Sequence, residues 1–213
     1  MHKQEKKMKI AIIGTGNMGT GLANVLATTN HDIVIASRNS AKAQTLAKNI
    51  GAESGCIETA VKSAEMVILA LPYQAVKEVL LSCGDLTDKI LIDITNPVTQ
   101  DFKELLIGHV TSGAEEIQAL APKAKIVKAF NTIFAQLLPT SARTKQTLQV
   151  FIASDDDNAK TVVSNIANSI GFEPIDAGSL CNSRFIEPIG AMNIHFAFFL
   201  GQGPTVAPIW VKA

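Results

Sequence analysis

Ile10-Ala11-Ile12-Ile13-Gly14-Thr15-Gly16-Asn17-Met18-Gly19 runs from an apolar, strand-like stretch into a turn with glycines at fixed spacing, and Leu22-Ala23-Asn24-Val25-Leu26 carries it on as an amphipathic helix. A strand, a GxGxxG turn and a helix in that order read as a dinucleotide-binding turn. Gly14 permits the sharp reversal, Gly16 lets the backbone approach a pyrophosphate, and Gly19 lets the helix pack closely on the strand. The anion then rests on unpaired N–H groups at the positive end of the helix.

The next strand, His31 to Ala36, ends at Ser37-Arg38. A site for NAD would place an Asp or Glu there, roughly 20 residues beyond the glycines, to accept hydrogen bonds from the ribose hydroxyls. No acid occupies that position, and Asp32 lies at the opposite end of the strand. Ser37, Arg38 and, one helical turn later, Lys42 converge instead where a 2′-phosphate would sit. Arg grips phosphate through several coplanar donors and Lys adds a point charge, so the expected cofactor is NADP(H).

Strand-like runs recur at Lys9–Ile13, Ile33–Ser37, Met66–Ala70, Ile90–Ile94, Ile126–Phe130 and Gln149–Ala153, with helical patterns such as Ala41–Ile50, Gln74–Cys83 and Glu115–Leu120 between most of them. That alternation specifies parallel βαβ units, and hence an α/β, Rossmann-type doubly wound, mostly parallel sheet. Asp155-Asp156-Asp157 opens a further helix, where acids act as caps. After Gly178 one long apolar helix, about Ser183 to Leu200, is expected, with a strand following only at Pro208–Val211. Its Phe185, Ile189, Met192, Phe196 and Phe199 recur at helical spacing, which suits core packing or a dimer interface. The expected organisation is a flexible leader 1–7, an NADP-binding domain 8–178 and a small C-terminal helical part 179–213 serving the substrate pocket and a homodimer contact.

Composition narrows the function. Lys plus Arg equals Asp plus Glu at 19 each, which provides no field for nucleic acid or an anionic membrane. Cys56, Cys83 and Cys181 are odd in number and show no metal-ligand spacing, so buried thiols in a reducing compartment are expected, with no disulfide and no metal site. Met1 to Lys7 is charged and lacks the apolar core of a signal peptide, and no apolar run reaches bilayer length; a cytoplasmic protein is expected.

In a doubly wound sheet ligands bind outside the carboxyl ends of the strands. The loops there are Ala70-Leu71-Pro72-Tyr73, Thr95-Asn96-Pro97 and Lys128-Ala129-Phe130-Asn131-Thr132. Asn96 and Asn131 each donate and accept, which suits a carboxamide or a carbonyl-bearing heterocycle, although Asn and Pro also make turns unaided. No Ser/His/Asp grouping, carboxylate pair or metal cluster falls in these loops, so hydrolase chemistry is disfavoured. Hydride transfer needs chiefly alignment of donor and acceptor carbons.

The glycine turn, Ser37-Arg38 with Lys42, Ala70-Leu71-Pro72, Lys128-Ala129-Phe130-Asn131-Thr132 and Asp176-Ala177-Gly178-Ser179-Leu180-Cys181-Asn182-Ser183-Arg184 occur in this order. Together they resemble the coenzyme F420-dependent NADP oxidoreductase family, from about Lys9 to the C-terminus and most specifically over Ile175 to Pro188. The resemblance implies a homodimer and direct hydride exchange between NADP(H) and a deazaflavin. It implies that Thr15, Gly16, Asn17 and Met18 hold the pyrophosphate, that Ser37, Arg38 and Lys42 hold the 2′-phosphate and that Ala129 meets the nicotinamide, with Asn131 and Ile133 on the acceptor side. Archaeal deazaflavin reductases carry an extra glycine in the first turn and a histidine at the place of Asn131. The pair Phe130-Asn131 is more similar to the cytosolic domains of the STEAP metalloreductases, which pass hydride from NADPH to a flavin, so FMN or FAD stands beside coenzyme F420 as the small-molecule acceptor. Two further readings fit the glycine turn: an NADPH-dependent reductase of a small carbonyl or imine, for which Lys128 is the nearby proton donor, and a non-catalytic NADP-binding regulator.

Overall fold

Six apolar runs become strands and the periodic stretches between them helices, because the inner strands of a parallel sheet bury both faces once helices cover its two sides. The computed structural model describes residues 6–212, so residues 1–5, most of the expected leader, lie outside the described residues. Lys6 and Lys7, the described part of it, pair with Glu65 and Asp32 at 2.7 and 2.8 Å.

In chain order the elements are β1 (Lys9–Ile13), α1 (Asn17–Leu26), β2 (Asp32–Ala36), α2 (Ser40–Ile50), β3 (Glu53–Ser54), α3 (Ile57–Ser63), β4 (Met66–Leu69), α4 (Tyr73–Leu81), β5 (Ile90–Asp93), α5 (Gly113–Leu120), β6 (Lys125–Lys128), β7 (Gln149–Ile152), α6 (Asp157–Ser169), β8 (Glu173–Asp176) and α7 (Ser183–Ile194). The first six strands form one parallel sheet in the order β3-β2-β1-β4-β5-β6, the doubly wound topology expected. Side chains alternate between its faces. Ile10 and Ile12 join the core under α1, α2 and α6, while Ala11 and Ile13 join the one under α3, α4 and α5.

Gln149–Ala153 forms a strand, but not in this sheet. β7 pairs with β8 in a separate two-stranded parallel sheet, and an antiparallel bridge between Lys128 and Ala153 ties it to the end of β6. The segment between β6 and β7 holds only two short 3₁₀ turns, Ala135–Leu137 and Thr140–Arg143, and no crossover helix that could bring β7 parallel to β6. The Asp triplet does cap: Asp156 Oδ1 accepts from Ala159 N at 2.7 Å, and Asp155 Oδ1 accepts from Leu180 N at 2.9 Å.

The helix expected over Ser183 to Leu200 stops at Ile194 and continues as a wide π turn, His195–Phe199. No strand forms at Pro208–Val211; Gln149 holds that tail through its side chain instead, Nε2 to Trp210 O at 3.1 Å and Oε1 from Trp210 N at 2.6 Å. The core role of the α7 aromatics also fails within one chain. α7 buries Ser183, Ile186, Glu187, Gly190 and Asn193, while Phe185, Met192, Phe196 and Phe199 are exposed. Of the three cysteines only Cys83 is buried; Cys56 precedes α3 with its thiol against Thr59 Oγ1, and Cys181 sits on a surface turn. No helix among the described residues is long and apolar enough to cross a membrane.

Candidate functional site at the carboxyl edge

The three glycines of the first turn do different work. Gly14 adopts φ +118°, and a Cβ there would stand 2.1 Å from Ala70 O; a Cβ on Gly19 would stand 2.1 Å from Gly14 O. Both are therefore required by the fold itself. Gly16 has an ordinary φ of −74°, and a Cβ on it would meet nothing within 4 Å. A glycine is needed there only where something approaches from outside, as a dinucleotide pyrophosphate would. Gly16 is also the N-cap of α1 and supplies no side chain to the open N–H groups of the first turn, where no acid stands either.

A cleft of about 700 Å³ joins this turn to the ends of β2 and β4: Gly14, Thr15 and Gly16 on one wall, Ser37, Arg38 and Lys42 on the second, Ala70, Leu71 and Pro72 on the third. Asn17 and Met18 open α1 beside it. The Asn39 side chain accepts from Lys42 N at 3.0 Å and so starts α2 at the point where Lys42 faces the cleft. Arg38 is exposed and, among the described residues, pairs with Glu78 at 3.7 Å, an exposed pair of little worth that leaves its guanidinium available.

The asparagines expected to present open amides are interlocked. Asn96 Nδ2 donates to Asn131 O at 2.8 Å, and Asn131 Nδ2 donates to Asn96 Oδ1 at 2.9 Å and to Ile186 O of α7 at 3.1 Å. Gly190 lies directly on the pair, where a Cβ would meet Asn96 Oδ1 at 2.4 Å and Asn131 Nδ2 at 2.8 Å. Asn131 Oδ1 remains buried with no hydrogen-bond partner among the described residues. Ala129 is fully buried with its N–H on Asp93 O, and Ile133 packs in the main core, 4% exposed. Between them Phe130 takes a left-handed φ of 60°, its ring edge-on to Phe172.

Sequence reasoning missed a buried ion cluster beneath this edge. Lys128, the last residue of β6, places its ammonium 2.8 Å from Asp93 Oδ2 at the end of β5, 2.8 Å from Glu187 Oε1 on α7 and 2.5 Å from Thr95 O. Glu187 accepts in addition from Gly113 N at 2.9 Å and Ala114 N at 3.1 Å, at the N-terminus of α5. Burial alone would push the Lys128 pKa down, but the two carboxylates outweigh it and hold the ammonium above its ordinary value. Burial raises the Glu187 carboxyl and Asp93 adds to the rise, against the pull of Lys128 and the α5 N–H groups. Arg184 grips Glu115 through two hydrogen bonds of 2.8 and 2.5 Å, which clamps the first turns of α7 and α5 together, and Tyr73 at the start of α4 donates to Glu116 on α5. The partners lie 33 to 74 residues apart, and the only sequence signal was charge where apolar residues belong. The ammonium meets no solvent, so the proton-donor role expected of it in a carbonyl or imine reductase has no access to a substrate.

Residues 9–97 match the family described as NADP oxidoreductase, coenzyme F420-dependent. The F420-dependent NADP reductase of Methanothermobacter thermautotrophicus is 32% identical over 206 residues, 88% of each chain. Metalloreductase STEAP3 of Rattus norvegicus is 33% identical over 181 residues; these are 85% of this chain and 36% of that one, so the chain spans about a third of that relative. A crystal structure from Arthrobacter sp. FB24, provisionally named an F420-dependent NADP reductase, superposes with a TM-score of 0.83 at 28% identity and covers 92% of this chain and 96% of its own.

Proposed function

The chain belongs to the coenzyme F420-dependent NADP oxidoreductase family, and from that premise we propose that it binds NADP(H) in the cleft at the carboxyl edge and exchanges hydride with a deazaflavin of the F420 type. The observation that carries this reading is the convergence in one cleft of a Gly16 whose Cβ direction is empty with Ser37, Arg38 and Lys42, and with no acid at the tip of β2. NADP(H) supplies the two-electron carrier. The chain supplies orientation: α1 for the pyrophosphate, the basic tip for the 2′-phosphate, and the β4 and β6 loops for the nicotinamide end.

Bound NADP(H) would supply the hydride, and water the accompanying proton, that the acceptor ring takes up. No side chain at this edge needs to serve as acid or base, and the sequestered Lys128 favours this over reduction of a carbonyl or imine. FMN or FAD, which present a similar tricycle, are the alternative acceptors. The exposed Phe185 and Met192 of α7, with Phe196 and Phe199 of the π turn that continues it, offer apolar surface that suits a second copy of the chain, so we assign the expected homodimer contact to them.

Anaerobic incubation of the protein with NADPH plus coenzyme F420, FMN, FAD or a ferric chelate tests the proposal. Oxidation of NADPH with F420 or a flavin is expected. Tight NADPH binding with no turnover on any acceptor would replace the enzyme reading with that of a regulator.

A further inference from the structure

Two carboxylates and one ammonium are buried together beneath the ends of β5 and β6, the side chains of Lys128 and Asp93 fully enclosed and that of Glu187 2% exposed. Every oxygen that faces the ammonium is charge-bearing or a carbonyl, and five donor contacts satisfy the two acids. These are the ammonium on each of them, Thr95 N on Asp93, and Gly113 N and Ala114 N on Glu187. With one ammonium between two carboxylates, the cluster is one positive charge short of balance. One negative charge is then left uncompensated except for the partial positive charge at the N-terminus of α5.

Charges on the neighbouring elements do not cancel it. Arg184 neutralises Glu115, but Glu116 is met among the described residues by the Tyr73 hydroxyl, which burial and the adjacent carboxylate keep protonated. The edge that receives the nicotinamide in the proposed function is therefore backed by net negative charge in a medium that screens it poorly.

We infer that the Lys128–Asp93–Glu187 cluster, with Glu116, is an electrostatic device that favours the oxidised nicotinamide and thereby biases the bound cofactor toward donating hydride. NADPH carries a neutral dihydropyridine ring and NADP+ a pyridinium. The charge appears only on the oxidised form, so a fixed negative field discriminates between two ligands that are otherwise alike. Glu187 acts here without touching the cofactor; it is a positioning residue whose effect is read in the relative affinity of the two redox forms. The inference rests on the NADP(H) reading of the cleft.

The test is the ratio of the dissociation constants for NADP+ and NADPH, measured by calorimetry on the full chain. Glu187→Gln should raise that ratio about fivefold through the loss of one buried unit charge. Glu116→Gln keeps an acceptor for Tyr73 and should raise it about twofold, which carries the test if the Glu187 variant does not fold. Glu65→Gln, at the opposite edge of the sheet beside Lys6, should leave it unchanged. Equal weakening of both forms in the Glu187 and Glu116 variants would mean a merely structural cluster and would overturn the inference. If the wild-type protein binds neither form, the NADP(H) reading itself falls and the inference falls with it.

Discussion

Gly190→Ala adds one methyl group to the face of α7 that rests on the interlocked asparagines. The new Cβ would stand 2.4 Å from Asn96 Oδ1 and 2.8 Å from both Asn131 Nδ2 and Asn96 Nδ2. Neither amide has room to yield alone, because each holds the other and Asn131 also holds Ile186 O on the same helix. To admit it α7 must lift, and that breaks the hydrogen bond from Asn131 Nδ2 to Ile186 O. Overpacking of this kind costs about 1–3 kcal/mol. A buried amide left without its partner costs about 1–3 kcal/mol more. Better helix propensity returns about 1 kcal/mol. The net expectation is a destabilisation of about 3 kcal/mol in urea unfolding, or a fall in Tm on the order of 10 °C. A variant as stable as wild type, or more so, would show the propensity gain acting alone and would refute the seating of α7 on the pair.

Gly16→Val should fold normally, since its Cβ points into open space, yet lose binding of both NADPH and NADH; retained binding by calorimetry would remove the glycine turn from the phosphate site. Arg38→Ala should weaken NADPH by roughly tenfold or more, a charge-assisted contact of about 1.5–3 kcal/mol, while NADH is unaffected, and equal wild-type affinity for the two cofactors would contradict the assignment. Arg184 holds the Glu115 carboxyl below its ordinary pKa, so the pair stabilises the fold above the unfolded carboxylate range, and that contribution is lost as pH falls through the lowered folded value. Denaturation curves taken from neutral pH down to about pH 3 should therefore show a loss of stability that is smaller in Arg184→Ala, and an identical slope in the variant would count against the clamp.

What the sequence disclosed was whatever local pattern determines. The run Ile10 to Gly19 specified strand, turn and helix because spacing alone decides them, and the missing acid after Ala36 marked the basic cleft wall. The failures share one cause, which is dependence on partners far along the chain. β7 left the main sheet because no crossover helix precedes it, Asn96 and Asn131 turned inward because α7 covers them, and Lys128 became an interior ion only where Asp93 and Glu187 meet it. α7 was legible as a helix but not as to which face it buries. Its inner stripe is polar and hydrogen-bonded, Glu187 to α5 and Asn193 to Thr132 O at 3.1 Å, so hydrophobic periodicity pointed to the outer face.

Direct hydride exchange with a deazaflavin is tested most sharply by following the hydrogen itself. Reduced coenzyme F420 holds the transferred hydrogen on carbon, where it does not exchange with water. A single anaerobic turnover of the wild-type protein with NADPH deuterated at the transferred C4 position should yield reduced F420 that carries one deuterium by mass spectrometry. Reduced F420 without deuterium, or F420 left oxidised beside tightly bound NADPH, would contradict the account.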